Sequence, residues 1–344
     1  MSLTYLIRRL LLVIPTFIGI TVLVFAITRI VPGGPIERIL SEAQLAGSEG
    51  GDGSGAQSKE SAGASLSDEQ MQQLKEYYGF DKPAPLAYLS WLWKLVRLDL
   101  GNSTRYYEPV WSTISERLPV STYYGLISLI IAYLISIPLG IIKAIRHRTA
   151  LDNFSSILIF IGYAIPPLVI AVLLQAWLGA HLEWFPLGGF QSEEYADLSF
   201  FGKVKDLVWH SFCPMIAYIA GSFALMTMMM KNALMDNLAA DYVRTAMAKG
   251  LSFRWAVLRH ALRNSLIPLA THFGNNIGFF LAGSLFIEQV FNIDGFGLLG
   301  YESLLERDYP VVMGILAITA VLQLVGNILS DFCVALVDPR VQFE

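Results

Sequence analysis

The residues best suited to engage another molecule lie in one polar segment of an otherwise apolar chain, between residues 231 and 263. Long apolar runs flank this segment on both sides, and a turn between two membrane spans needs only a few residues. A basic connection of about thirty residues therefore predicts a docking element that a soluble partner binds. Its charged side chains are Lys231, Asp236, Asp241, Arg244, Lys249, Arg254, Arg259 and Arg263.

The same segment has the pattern of a helix with an approachable surface. Ala246, Ala248 and Gly250 are small, so another surface can come close to the backbone there. On charge alone, a basic surface helix of any membrane protein would fit equally well. Four apolar residues recur at spacings of 4, 3 and 4, which predicts an apolar helix stripe: Leu251, Trp255, Leu258 and Leu262.

Bond-making chemistry is not indicated. The chain lacks the Gly-x-x-x-x-Gly-Lys-Ser/Thr, His-Glu-x-x-His and Gly-x-Ser-x-Gly patterns, and Gly202-Lys203 is followed by Val204. The methionines at 226–230 indicate adaptable packing rather than a metal site. We predict no catalytic and no metal-binding residue, and no long basic tract suggests nucleic-acid binding. If ATP drives this protein, the ATPase is a separate subunit.

Composition places the segment within a membrane protein. The chain has 344 residues, of which 54% are apolar and 15% charged, against nearly a quarter charged in soluble proteins. The charge deficit is confined to discrete apolar runs, which predicts an all-α polytopic fold. The six predicted transmembrane helices cover residues 10–28, 118–142, 154–180, 207–230, 265–287 and 311–330.

The longest stretch outside these spans, residues 32–117, is predicted to form a small external subdomain. Residues 41–65 are rich in Gly and Ser and predict a flexible loop. A capping box at 67–70 predicts the start of a short helix. Trp91 and Trp93 indicate a second short helix at the membrane interface, where tryptophan is favoured.

Lys and Arg counts in the loops predict the orientation. The loops after the second and fourth spans carry three and six basic residues, whereas the loops after the third and fifth carry two and one. Both chain ends and the basic segment are therefore expected in the cytoplasm. Residues 1–31 would be a retained first helix rather than a cleaved signal. Residues 118–337 would form the membrane domain, with 338–344 as a tail.

Polar residues inside the spans are candidates for a translocation path, although helix–helix hydrogen bonds are the commoner use of such residues. The paired prolines at 166–167 predict a bend, either as a gate or as packing geometry. An ion-coupled transporter would need ionisable groups deep in the membrane, and the predicted spans hold no Asp, Glu, Lys or Arg. A membrane-embedded enzyme is a third alternative. The path candidates are Tyr163, Pro166, His272, Asn275, Asn276, Gln323 and Asn327.

The basic segment resembles the EAA loop of bacterial ABC importer permeases, whose pattern is E-A-A-x-x-x-G followed by I-x-L-P. Arg244, Thr245 and Ala246 stand at the E-A-A positions, Gly250 stands at the glycine, and Arg263 replaces the proline. The string is similar to the oligopeptide, dipeptide and nickel permeases, and the resemblance is closest to the Yej-type branch. Supporting motifs are Tyr5-Leu-Ile-Arg-Arg9, Pro32-Gly-Gly-Pro35, Gly300-Tyr-Glu302, Arg307-Asp-Tyr-Pro310 and Asp338-Pro-Arg340.

This resemblance implies a type I importer (MetI-like) transmembrane domain in the bacterial inner membrane. Its expected partners are a second, homologous permease in a heterodimer, two ATPase domains, a periplasmic substrate-binding protein and the lipid bilayer. ATP and magnesium would be bound by the ATPase subunits and no cofactor by this chain. The expected cargo is oligopeptides, including peptide-nucleotide antibiotics such as microcin C. The implied docking residues are Asp241, Arg244, Thr245, Ala246, Lys249, Gly250, Leu251, Ser252 and Arg263.

Overall fold

A computed structural model describes residues 3–30, 72, 81–281 and 283–338. Helices dominate this part of the chain. Two π-helical turns interrupt them, at Gln175–His181 and Val257–Ala261. The helices are α1 (Leu3–Ile30), α2 (Ala84–Val96), α3 (Val110–Ile145), α4 (Ala150–Ala164), α5 (Pro167–Leu174), α6 (Phe200–Ala239), α7 (Asp241–Ala248), α8 (Phe253–Ala256), α9 (Leu262–Ser265), α10 (Ile267–Leu281), α11 (Leu285–Val290), α12 (Phe296–Leu305) and α13 (Tyr309–Val337).

Within the described residues, four helices are long and apolar enough to cross a membrane: α1, α3, α6 and α13. The pair α4 and α5 raises the number to five if the two form one broken span. The predicted fifth span corresponds to α10 with α11, which the structure divides into two shorter helices. The polytopic helical fold is confirmed, whereas the number of six spans stays a prediction.

The predicted third span is broken where the paired prolines stand. Helix α4 ends at Ala164, Pro166 caps α5, and the two helices meet at an angle of 95°. Pro167 is at the first position of α5, where its missing N–H costs no helical hydrogen bond. Residue 165 is extended, as expected before a proline. The predicted bend is therefore a complete break in the helix.

The chain divides into two compact units, and the smaller one comprises Pro15–Glu116 and Gly300–Ile318. Helix α2 contains both tryptophans of the predicted interfacial helix, and its Tyr88 hydroxyl lies 3.0 Å from that of Thr21 in α1. A short connection after α2 is held by Ser103, which donates to buried Asp308. Arg105 pairs with Glu302 at 2.7 Å. These contacts join distant segments of the chain inside this unit.

The larger unit comprises Met1–Ile14, Arg117–Leu299 and Thr319–Glu344. Helices α10 and α13 approach each other so closely in it that their backbones meet at Gly274 and Gly326. A Cβ atom on Gly274 would overlap the carbonyl oxygen of Gly326, and one on Gly278 would lie 2.5 Å from the amide oxygen of Gln323. Small residues permit such approach between membrane helices. The glycines at 274, 278 and 283 of the predicted fifth span indicate close helix contact from the sequence alone, and Gly274 and Gly278 make such a contact. Gly283, by contrast, lies outside α10.

Several predictions fall on residues that the structure does not describe. These are the flexible loop at 41–65, the capping box at 67–70, the Pro32–Pro35 motif and the end of the tail after residue 338. The predicted topology puts Cys213 and Cys333 near opposite faces of the bilayer, which predicts two free, buried thiols. Both are free. Cys213 is buried, but Cys333 is only partly buried, so the prediction of two buried thiols is wrong for the second.

Candidate functional site: the docking segment

The docking segment, defined here as residues 241–263, is helical as predicted, with a sharp turn at Gly250. Helix α7 ends there in a left-handed cap. The N–H of Gly250 donates to the Met247 carbonyl, and the N–H of Leu251 donates to the Ala246 carbonyl. This pair of bonds is the Schellman motif, which places its glycine at positive φ. Gly250 has φ +93°, and a Cβ atom there would meet no atom within 4 Å. The glycine is therefore required by the backbone and not by internal packing.

One side of the docking segment packs against the rest of the larger unit. Val243, Ala256, Val257 and Ala261 are buried and pack against a cluster from α3, α6 and α10. One member of that cluster is Met230, which has no exposed surface. Burying this apolar surface stabilises the position of the segment.

Hydrogen bonds hold both ends of the segment to helix α6 and to each other. The Tyr242 hydroxyl donates to the side-chain oxygen of Asn237, and Asn264 donates to the Tyr242 hydroxyl at 3.1 Å. Ser265 donates to the Ala233 carbonyl at 3.2 Å. Arg263 donates to the carbonyl of Val337, the last residue of α13, at 2.7 Å. The segment therefore forms a rigid attachment to α6 with a further contact to the end of α13.

The opposite side of the segment is exposed and mixes basic with apolar side chains. Trp255 is 58% exposed and Leu258 is 55% exposed. Arg244 is 3.8 Å from Asp241, and both side chains are largely in solvent. Such an apolar patch, rimmed by charge, is typical of a protein-binding surface. Further exposed apolar residues on it are Tyr242, Met247 and Phe253.

The structure distributes the predicted docking residues unevenly. Ala246 and Leu251 are half-buried, whereas the other predicted docking residues are exposed: Asp241, Arg244, Thr245, Lys249, Gly250, Ser252 and Arg263. The four residues of the predicted stripe do not form one buried face. Trp255 and Leu258 are exposed. The wide turn at Val257–Ala261 also changes the spacing between Leu258 and Leu262 that a regular stripe would need.

The predicted path residues fall into separate groups. Gln323 donates to Asn275 at 3.2 Å, across the close contact of α10 and α13, and to Asn327 at 3.5 Å. Asn276 donates to the Tyr133 hydroxyl of α3 at 3.4 Å. These side chains tie helices together, and Asn275 is also exposed.

The remaining path candidates stand apart from that amide group. Tyr163 and Pro166 are exposed beside the break between α4 and α5. His272 is exposed on α10, and within the described part of the chain no hydrogen bond of its ring is found. From the sequence, a hydrogen bond to neighbouring backbone is the favoured interpretation of His272 over a place in the path, and that interpretation finds no support here.

Sequence reasoning missed two buried charged clusters in the larger unit. In the first, Asp152 at the start of α4 pairs with Lys143 of α3 at 3.1 Å and with Lys231 of α6 at 2.8 Å. The two lysine ammonium groups compensate the Asp152 carboxylate for the water that it loses on burial. The available signal was that Asp152 is the lone acid in a basic loop, and that Lys143 directly follows an uncharged run.

The second missed cluster surrounds Glu288, which is fully buried at the residue after the predicted fifth span. Its carboxylate accepts hydrogen bonds from Ser121 at 3.0 Å, Tyr218 at 2.9 Å and the N–H of Leu298 at 2.8 Å. These donors compensate the carboxylate for the water that it loses on burial. The glycines around it were the available signal, because a Cβ atom on Gly295 would lie 2.5 Å from the carboxylate.

Comparison with known proteins shows which protein family contains this docking segment. Residues 136–343 match the model of a family described as the inner membrane component of binding-protein-dependent transport systems. The chain belongs to this family. The match covers the whole docking segment together with helices α4 to α13, so both sequence motif and attachment fall inside it.

Individual relatives of the permease extend the match over the whole chain. The inner membrane ABC transporter permease protein YejB of Escherichia coli O157:H7 is 40% identical, with 99% of each chain covered. The peptidoglycan transport system permease protein YejB of Agrobacterium fabrum is 38% identical, covering 99% of this chain and 98% of the relative. The oligopeptide transport system permease protein AppB of Bacillus subtilis is 35% identical, covering 98% of this chain and 99% of the relative.

A solved structure supports the fold of the permease. The MetNI methionine ABC transporter, in an inward-facing conformation, matches with a TM-score of 0.51 over 66% of this chain and 96% of that chain, at 15% identity. The resemblance to importer permeases and the MetI-like fold are thereby confirmed. The protein is a multi-pass inner-membrane permease subunit of an ABC transporter and not an enzyme. An ATPase and a substrate-binding protein are its partners, which excludes the ion-coupled alternative.

Proposed function

We propose that this permease is one half of a heterodimer that moves oligopeptides from the periplasm to the cytoplasm. Two ATPase domains bind ATP and magnesium, and one of them docks on residues 241–263. Both ends of the chain lie in the cytoplasm. The basic residues that predict this orientation flank α3, α4 and α6 on the side where the docking segment is attached.

The observation that carries this proposal is the two-sided construction of the docking segment. Its inner side is fixed by buried apolar contacts and by hydrogen bonds to α6. Its outer side offers Trp255 and Leu258 among basic residues. A partner bound to the outer side would displace α6 with the segment instead of bending a loose loop. Such a rigid linkage is what conversion of ATPase closure into helix movement requires.

The substrate class follows from the relatives. Permeases named for oligopeptide and dipeptide transport cover 99% or 98% of this chain, and the two YejB proteins are the more similar to it. We infer an oligopeptide cargo, with peptide-nucleotide antibiotics such as microcin C as a further one. The exposed amide of Asn275, beside Gln323 and Asn327, is the best candidate for a group that meets a passing peptide. Tyr163, Pro166, Asn276 and His272 are secondary candidates.

Two substitutions at one position test the docking assignment. Any side chain at Gly250 is strained by φ +93°, and the space around its Cβ is open. Gly250→Ala therefore measures the backbone strain, about 1 kcal/mol. Gly250→Trp adds the same strain together with a large obstacle on the outer surface.

The measurement is ATP-dependent peptide uptake by the complete complex in proteoliposomes containing the binding protein. We expect the Ala variant to keep most of the uptake. The Trp variant should still be inserted in the membrane, but it should lose both peptide uptake and the ATPase subunits that remain bound to the complex. If the Trp variant matches the Ala variant, the partner does not dock at this surface. Replacing labelled oligopeptides with free amino acids in the same assay tests the substrate class.

A further inference from the structure

We propose that Lys143, Asp152 and Lys231 are positioning residues that make the docking segment and helices α3, α4 and α6 move as one body. The inference rests on the proposed function, since it concerns how force applied at the docking segment reaches the membrane helices. It assigns a transport role to three charged residues outside the docking segment.

The geometry of the cluster joins three helices at one point. The Lys231 ammonium lies 2.8 Å and 2.9 Å from the two carboxylate oxygens of Asp152. The Lys143 ammonium lies 3.1 Å from the same carboxylate and donates to the Asp152 carbonyl at 3.0 Å. It also donates to Ser155 and Ser156, both at 2.8 Å. All three N–H groups of the Lys143 ammonium therefore donate to residues of helix α4.

Additional contacts fix the loop that precedes α4. His147 approaches the Asp152 carboxylate at 3.3 Å, and the backbone N–H of Arg148 donates to it at 3.1 Å. Thr149 caps the helix by accepting from the N–H of Asp152. Asp152 therefore binds the whole turn between α3 and α4 to α6, with its carboxylate as the common acceptor.

Because the cluster is buried, it is either intact or broken, and arrangements in which one helix has moved partly away are unfavourable. Lys143 is fully buried, and Asp152 and Lys231 are nearly so. Moving any one of the three helices away would leave an uncompensated charge inside the protein, which is strongly unfavourable. Charged hydrogen bonds are also directional. The helices are therefore held in one relative arrangement wherever the pairs persist.

The cluster lies next to the attachment of the docking segment. Met230, adjacent to Lys231, packs against the buried face of that segment, as does Ala144, adjacent to Lys143. A Cβ atom on Gly140 would lie 2.6 Å from the Cβ of Met230, so α3 and α6 are in direct contact one turn away. The turn of α6 that carries the paired lysine thus also carries the surface on which the docking segment rests.

A set of substitutions separates positioning from simple stabilisation. Lys231→Met removes the pair to α6, and Lys231→Arg restores a positive charge. The double variant Lys231→Met with Asp152→Asn removes one charge of each sign, so it keeps the net charge of the cluster. Lys205→Met is the matched control because Lys205 is an exposed residue of the same helix.

The readout is the number of peptides taken up per ATP hydrolysed by the assembled complex in proteoliposomes. We expect this ratio to fall at least about tenfold in Lys231→Met and in the double variant, while ATP hydrolysis continues. Lys231→Arg should recover most of the ratio, and Lys205→Met should match the wild type. ATP-dependent uptake by the wild-type complex tests the proposed function separately.

Two outcomes overturn the inference. The first is an unchanged ratio of uptake to hydrolysis in either Lys231→Met or the double variant. The second is failure of both variants to assemble with the ATPase subunits, because the cluster would then serve folding alone. A double variant that assembles, hydrolyses ATP and transports little supports it.

Discussion

Glu288 offers a sharp test of how the segment after α10 is held. Its carboxylate has no cationic partner among the described residues and is held by neutral donors from α3, α6 and the start of α12. The donors are themselves engaged: the Tyr218 hydroxyl accepts from the N–H of Ser284 at 2.9 Å. One side chain therefore closes a network that joins four segments of the chain.

Replacing Glu288 with alanine leaves three buried donors without an acceptor. Each unsatisfied donor costs about 1–3 kcal/mol, and the removed carboxylate returns part of its own desolvation cost. We expect a net loss of about 3 kcal/mol or more in the free energy of unfolding. A glutamine at the same position would keep one acceptor oxygen and the side-chain volume, so Glu288→Gln should lose about 1 kcal/mol.

The assay is the fraction of purified complex that stays monodisperse in gel filtration after heating through a temperature series. The midpoint should fall in the order wild type, Glu288→Gln, Glu288→Ala. Glu194→Ala is the control, since Glu194 is exposed. An alanine variant as stable as the wild type, or a glutamine variant less stable than the alanine one, would refute the reasoning from hydrogen bonds.

Two further substitutions test the docking surface and the helix contact. Trp255→Ser should reduce the amount of ATPase that co-purifies with the complex by about tenfold. Truncating a large exposed anchor typically costs about 1–2 kcal/mol of binding. Trp184 is equally exposed but remote in sequence, so Trp184→Ser should leave the amount of co-purifying ATPase unchanged. Gly274→Leu should abolish accumulation of folded permease, because its side chain would overlap Gly326. Gly19→Leu should accumulate normally in membranes, since nothing lies within 4 Å of its Cβ position.

The sequence was informative wherever hydrophobic runs and special backbone residues carry the signal. The paired prolines located the break between α4 and α5, and Gly274 with Gly278 located a close helix contact. These features depend on local sterics, which a single sequence contains. Gly250 was singled out for its small size, and the turn that it forms inside the docking segment was not predicted.

The sequence was uninformative where the partner of a charge lies far along the chain. Lys231 and Asp152 are 79 residues apart, and Ser121 and Glu288 are 167 apart. Counting basic residues treats charges at the margins of apolar runs as solvated, since composition does not reveal which of them turn inward. The predicted apolar stripe failed for a different reason, because it assumes a regular helical spacing across residues 257–261.

That wide turn at Val257–Ala261 has a consequence for chain length. A π-helical turn holds one residue more than the α-helical turn it replaces, while the helix on either side keeps its direction. Removing a single residue there would let the backbone close into a regular helix without rotating α8 relative to α9. We therefore expect the docking segment to tolerate a one-residue deletion at this place, whereas the same deletion within α7 would turn its binding face by about 100°.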